Sequence, residues 1–107
     1  MKVLTIGHKY ELDNFEPTKD SDHRNVLQFI EKEPLNGQGG TALETVNNGT
    51  TNEEVLRVLI DRLQTMNAKF PCRENAVVLT HLDTALLWLY KRTNDRNARG
   101  VEGKALA

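Results

Sequence analysis

Arg92, Arg96 and Arg99 recur at helical spacing in the stretch that runs from Leu89-Tyr90 to Lys104. On a helix that spacing puts three guanidinium groups on one face. A guanidinium is planar and offers paired donors that match a phosphate, so such a cluster at a helix end suits an anion or a nucleotide. The same cluster could also sit in solvent and offset the negative end of the helix dipole. Charge alone leaves both readings open. A second polar group, Arg73, Glu74 and Asn75, stands at the start of the same helix. A cation there opposes the dipole. Either a ligand or a salt bridge, to Glu74 or to a second subunit, would account for it.

Other chemistry is thin in the sequence. It holds no G-x-S-x-G, no P-loop, no dinucleotide glycine fingerprint and no H-E-x-x-H. His8, His23 and His81 are scattered, without a partner at metal-ligand spacing. His81 lies mid-helix among apolar residues and reads as an interface or core histidine. Cys72 precedes a helix, where thiolates are favoured, but neither a base nor an orienting group accompanies it. It reads as a small buried thiol. We therefore expect no enzyme, no metal and no cofactor.

The elements that must position the arginines follow from periodicity. The first half reads as strands. Leu4, Ile6, Tyr10 and Leu12 alternate with charged residues, and Gly7 marks a bulge or break. Residues 17–24 read as a polar loop, Asn25 to Lys32 as a second strand, and Thr41 to Asn47 as a third. Asn36-Gly37 and Gly39-Gly40 read as the hairpin connection between them. The second half reads as two helices. Thr51-Asn52-Glu53-Glu54 is a capping box, and Leu56, Leu59, Ile60 and Leu63 follow as a core-facing stripe. Glu53 and Arg57 are spaced for an exposed ion pair. The first helix should end near Asn67, before the break at Phe70-Pro71. The second should run from about Arg73 to Thr93, with Val78, Leu82, Ala85 and Leu89 in heptad rhythm. Ala85 to Tyr90 are six apolar or aromatic residues in a row, which cover the whole circumference of a helix. Such a helix must be buried on more than one side, and a second copy of the chain would do this most simply.

The chain has 107 residues and a formal net charge of −1, so the expectation is one small α+β domain. Within it, residues 1–50 are strand-rich, 51–99 form a helical hairpin that oligomerises and 100–107 are a tail. The halves differ in charge. Residues 1–54 hold five basic and ten acidic side chains, a balance of −5. Residues 55–107 hold nine and five, a balance of +4. That field is too weak for a general duplex nucleic-acid binder. The single cysteine, the lack of a signal-like apolar run and the lack of a membrane-length apolar stretch lead us to expect a cytoplasmic protein without a membrane partner.

Several blocks, taken in order, resemble a known family. They are Asn48 to Leu56, Phe70-Pro71-Cys72-Arg73-Glu74-Asn75-Ala76, Leu86-Leu87-Trp88-Leu89, Arg92-Thr93-Asn94-Asp95-Arg96 and Arg99-Gly100-Val101-Glu102-Gly103. The resemblance is to the phage-encoded anti-Thoeris sponge family, whose helical hairpin is shared with the anti-CBASS sponge family. It covers roughly residues 48–103. It implies a protein that sequesters a cyclic nucleotide second messenger of bacterial immunity without cleaving it, inside the infected host cell. The messengers would be cyclic ADP-ribose isomers, or the cyclic di- and trinucleotides of CBASS. It also implies pocket residues at both ends of the second helix: Arg73 and Asn75 at its start, Arg92 and Arg96 at its end. Trp88, Asp95 and Arg99 complete the candidate site. Some relatives carry an aromatic late in the first helix where this chain has Thr65. Base stacking would then fall to Trp88, Phe70, Phe15 or an arginine plane.

Two rival readings are a hydrolase of the signals, which would need a catalytic acid, base or metal cluster that the sequence does not offer, and a protein adaptor using the basic C-terminal region. The order of the oligomer, dimer or hexamer, stays open. Asn75 and Arg92 are 17 positions apart, or roughly 26 Å on one helix. A ligand on the order of 10 Å across cannot reach both in one chain. An antiparallel pair of second helices would bring them together across a two-fold axis.

Overall fold

The computed structural model describes residues 1–16, 25–35 and 40–107. The expected loop at 17–24, His23 within it, and the hairpin signal at Asn36-Gly37 and Gly39 lie outside the described residues.

Strands β1 (Lys2–Thr5), β2 (Lys9–Leu12) and β3 (Asn25–Gln28) form an antiparallel three-stranded sheet in chain order. Gly7 marks the expected break, as the pivot of the first hairpin. It takes φ 75° in a turn closed by His8 N–H donating to Thr5 O at 3.0 Å, a conformation that only glycine adopts without strain. The strand expected over Asn25 to Lys32 is split. Its first half is β3, and its second half opens β4 (Glu31–Pro34), which pairs with β5 (Leu43–Asn47) in a separate antiparallel sheet. Phe29 and Ile30, between the two, bridge to Thr50.

That bridge fixes where the helices begin. Thr50 N–H donates to Gln28 O, and Ile30 N–H donates to Thr50 O, each at 2.9 Å. Gly49 makes the crossing feasible. A Cβ there would stand 2.4 Å from Gln28 O and 2.7 Å from the Phe29 carbonyl carbon. Thr51 then caps α1 (Asn52–Lys69), its hydroxyl accepting from Glu54 N–H at 3.2 Å. Only half of the expected capping box forms. The Glu54 carboxylate turns to Arg57 at 3.0 Å instead, so Arg57 pairs three residues back and not with Glu53. Cys72 caps α2 (Arg73–Ala98) through its sulfur. It is exposed rather than buried.

The two helices form an antiparallel hairpin. The α2 face turned inward is Asn75, Leu79, Leu82, Leu86, Leu89, Thr93 and Arg96, all half-buried or buried, a strict alternation of threes and fours. It differs from the expected row: Val78 and Ala85 are exposed, and Leu79 and Leu86 take their places. Leu59, expected in the α1 stripe, is 43% exposed. His81 is exposed too, so within one chain it is not a core residue. Arg57 crosses the hairpin and donates to the Tyr90 hydroxyl from Nε at 2.9 Å, with its guanidinium 5.4 Å from the ring centre. That hydrogen bond, reinforced by the Glu54 carboxylate, raises the Arg57 pKa above its already high ordinary value.

Packing inside one chain is shallow. No hydrophobic residue is fully buried among the described residues, and Arg96 is the only buried side chain. The accessible surface is 8361 Å², against about 6,000 Å² for a compact monomer of this size. The radius of gyration is 17.6 Å, and the molecule is a slab of 50 × 38 × 15 Å. A compact chain of this length has about 13 Å. No described helix is long and apolar enough to cross a membrane.

Candidate functional site

The structure separates the residues that the sequence grouped. α2 has 26 residues, about 39 Å of helix, with one set of candidates at each end. At its start, Arg73 lines a shallow depression of about 360 Å³ with Glu74, Val77 and Val78. Asn75 is half-buried on the hairpin face. At its end, the three arginines part company.

Arg92 is exposed and makes no hydrogen bond or ion pair within the described residues. It lines a cavity of about 390 Å³ where the end of α2 meets the sheet and the start of α1. The other walls are Gly7 and His8 from the first hairpin, Phe29 and Ile30 from the end of β3, Thr50 to Glu53, Thr93, and Glu102 from the tail. The Gly49 crossing explains this convergence, since it ties the end of β3 to the cap of α1. Neither the sheet residues nor Glu102 were singled out from sequence. Their signal is the glycine pair Gly7 and Gly49, which marks a tight turn and a close backbone approach.

Arg96 belongs to the structure of the tail. Its Nε donates to Glu102 Oε2 at 3.0 Å, and its terminal nitrogens donate to the backbone oxygens of Val101 and Lys104, each at 2.8 Å, and of Leu106. With 4% of its surface exposed, it has no donor face left for a ligand. Arg99 donates to Ala107 O at 2.6 Å, and Asp95 pairs with Lys91 at 2.7 Å. Trp88 is 65% exposed and does not line the Arg92 cavity. Among the described residues, no group of His, Cys, Asp and Glu is placed to hold a metal ion.

The hairpin that carries Arg73, Asn75 and Arg92 is also what relates this chain to known proteins. A family described as the Acb2/Tad1 hairpin domain matches residues 33–94. The chain belongs to the Acb2/Tad1 hairpin family. The match covers β5, α1 and α2 as far as Asn94, so Arg92 lies inside it, whereas Arg96, Arg99 and Glu102 lie beyond it. A protein named Thoeris anti-defense 1, from Bacillus phage SBSphiJ7, is 49% identical over 70 residues, 64% of this chain and 49% of that protein. The chain thus spans about half the length of the curated relative it matches. The resemblance to the anti-Thoeris family and the α+β order, sheet first and hairpin second, are both borne out.

Proposed function

We propose that the chain is a phage anti-defence protein that captures a cyclic nucleotide immune signal and holds it intact in the host cytoplasm. The observation that carries this reading is the unpaired guanidinium of Arg92 on the wall of a 390 Å³ cavity, within the hairpin that the family model matches. A free guanidinium is the side chain best suited to a phosphate. The name of the Bacillus phage relative, Thoeris anti-defense 1, points to the same biology. Cyclic ADP-ribose isomers are the first candidates, and cyclic di- and trinucleotides the second. Capture needs affinity from preorganised groups rather than proton transfer.

The working unit is a homo-oligomer, at least a dimer. The surface in excess of a compact monomer and the 65% exposure of both Leu87 and Trp88 support this. Pairing of α2 helices across a two-fold axis would bring Arg73 and Asn75 of one protomer to Arg92 of its partner.

Isothermal titration calorimetry and native mass spectrometry with cyclic ADP-ribose isomers, cyclic dinucleotides and cyclic trinucleotides test the reading. We expect tight binding of at least one, and recovery of that ligand unchanged after heat denaturation of the complex. Recovery of a linear product would establish a hydrolase. A melting temperature that no nucleotide shifts would favour an adaptor.

A further inference from the structure

The tail beyond α2 is built to hold one carboxylate in place. α2 closes in a Schellman motif: Val101 N–H donates to Arg96 O at 3.0 Å, Gly100 N–H donates to Asn97 O at 3.1 Å, and Gly100 takes φ 71°. Gly103, at φ 79°, turns the chain again. The far side of the tail is pinned to the β4–β5 hairpin by Ala105 N–H donating to Thr41 O at 3.0 Å. Between these anchors, Arg96 draws the Val101 and Lys104 carbonyls and Glu102 toward itself. Glu102 is therefore held by Arg96 on a segment anchored at both ends, and it lies on the wall of the cavity that Arg92 also lines. Its Oε2 takes the Arg96 hydrogen bond. Its Oε1 accepts none from the described residues, and the side chain is 39% exposed.

The charge inventory of that cavity does not suit a bare phosphate. Arg92 and His8 share the wall with two carboxylates, Glu53 and Glu102, and Glu102 is paired with Arg96 at 3.0 Å. Glu53 stands in the first turn of α1, where the helix dipole accounts for it. Glu102 has no such account on the ligand side, because Arg96 uses only one of its oxygens. A carboxylate oxygen accepts hydrogen bonds and repels other anions. We propose that Glu102 is a specificity-determining residue of the Arg92 cavity, accepting hydrogen bonds from a ribose hydroxyl while Arg92 meets a phosphate. Arg96 is the positioning residue that holds it. This rests on the nucleotide-capture reading above. The cavity then selects a sugar-bearing phosphodiester and turns away compact polyanions.

The test is competition between the cyclic ADP-ribose isomer that the full chain binds most tightly and inorganic pyrophosphate. In the wild type, pyrophosphate should compete at least 100-fold more weakly than the isomer binds. Glu102→Gln keeps an oxygen for Arg96 but removes the charge. It should weaken the isomer about 5- to 20-fold and strengthen pyrophosphate, so that the ratio collapses by at least 10-fold. Arg96→Lys should reproduce the collapse with Glu102 intact, together with faster amide exchange at Val101 and Ala105. An unchanged ratio in Glu102→Gln, in a protein that still binds the isomer, overturns the proposal and leaves nucleotide capture standing. A wild type that binds no cyclic nucleotide overturns both.

Discussion

Arg92 and Arg96 are four residues apart on one helix, yet one is free and the other is buried with four of its five N–H donors engaged. Their spacing placed them together in sequence, and nothing in α2 itself separates them. The separation comes from the tail, whose path depends on the positive φ of Gly100 and Gly103. Helical periodicity is legible, whereas a strap that returns across a helix end is not. The exposed cap at Cys72 and the turn of Glu54 toward Arg57 were missed for the same reason, since each was decided by local geometry after the helix had formed. The division of roles is testable. Arg92→Ala should weaken binding of the cyclic nucleotide by about 1.5 to 3 kcal/mol, the range for a hydrogen bond to a charged group. Stability should change by less than about 0.5 kcal/mol, because an exposed side chain is removed. Calorimetry that gives the variant wild-type affinity would remove Arg92 from the site.

At the scale of elements, α1 and its cap were legible because Thr51, the stripe over Leu56 to Leu63 and Phe70-Pro71 are strong start, face and stop signals. The end of α2 was placed five residues early, at Thr93 instead of Ala98. Asn94, Asp95 and Asn97 are weak helix formers, and the Schellman closure with the Arg96 bonds carries the helix through them. The inward row of α2 was misread because apolar residues occur on every side of that helix. Periodicity alone cannot choose between Val78 and Leu79, whereas contact with α1 does. The division of strands into two sheets was also hidden, since Asn25 to Lys32 reads as one continuous run. Its break depends on Gly49, nearly twenty residues away. Gly49→Ala puts a methyl group against Gln28 and Phe29 backbone that cannot yield cheaply. It should cost about 3 kcal/mol, at the upper end for overpacking. Urea denaturation showing a loss below about 0.5 kcal/mol would mean that the crossing is looser than its geometry.

The whole molecule is a slab that leaves apolar side chains on the outside of its longest helix. The apolar girdle from Ala85 to Tyr90 is divided by the hairpin: Leu86 and Leu89 face α1, whereas Leu87 and Trp88 stay exposed. Leu86→Glu or Leu89→Glu would therefore strike folding within one chain, and the informative substitution for association is Leu87→Glu. It should dissociate the oligomer and leave a folded, helical protomer, by light scattering and circular dichroism. A wild type that is monomeric at micromolar concentration would end the argument. Pocket sharing across the axis has its own check. Asn75→Ala and Arg92→Ala homo-oligomers should both bind poorly. Mixed oligomers should regain one intact site for each doubly defective one. Mixed species that form by mass spectrometry yet recover no binding would exclude a shared pocket.

The Gly49 crossing also has a consequence in time. The helical hairpin closes through the short turn from Phe70 to Cys72, so it can zip outward from that turn without the sheet. The bridge from Gln28 to Thr50 joins residues 22 apart and can form only once strand and cap are both present. Docking of the N-terminal sheet then follows the rate-limiting barrier. Gly49→Ala should leave the refolding rate nearly unchanged and raise the unfolding rate by roughly 100-fold, the kinetic equivalent of about 3 kcal/mol lost after the transition state. A stopped-flow chevron in which the refolding limb slows instead would put the sheet in the nucleus and reverse the order of assembly.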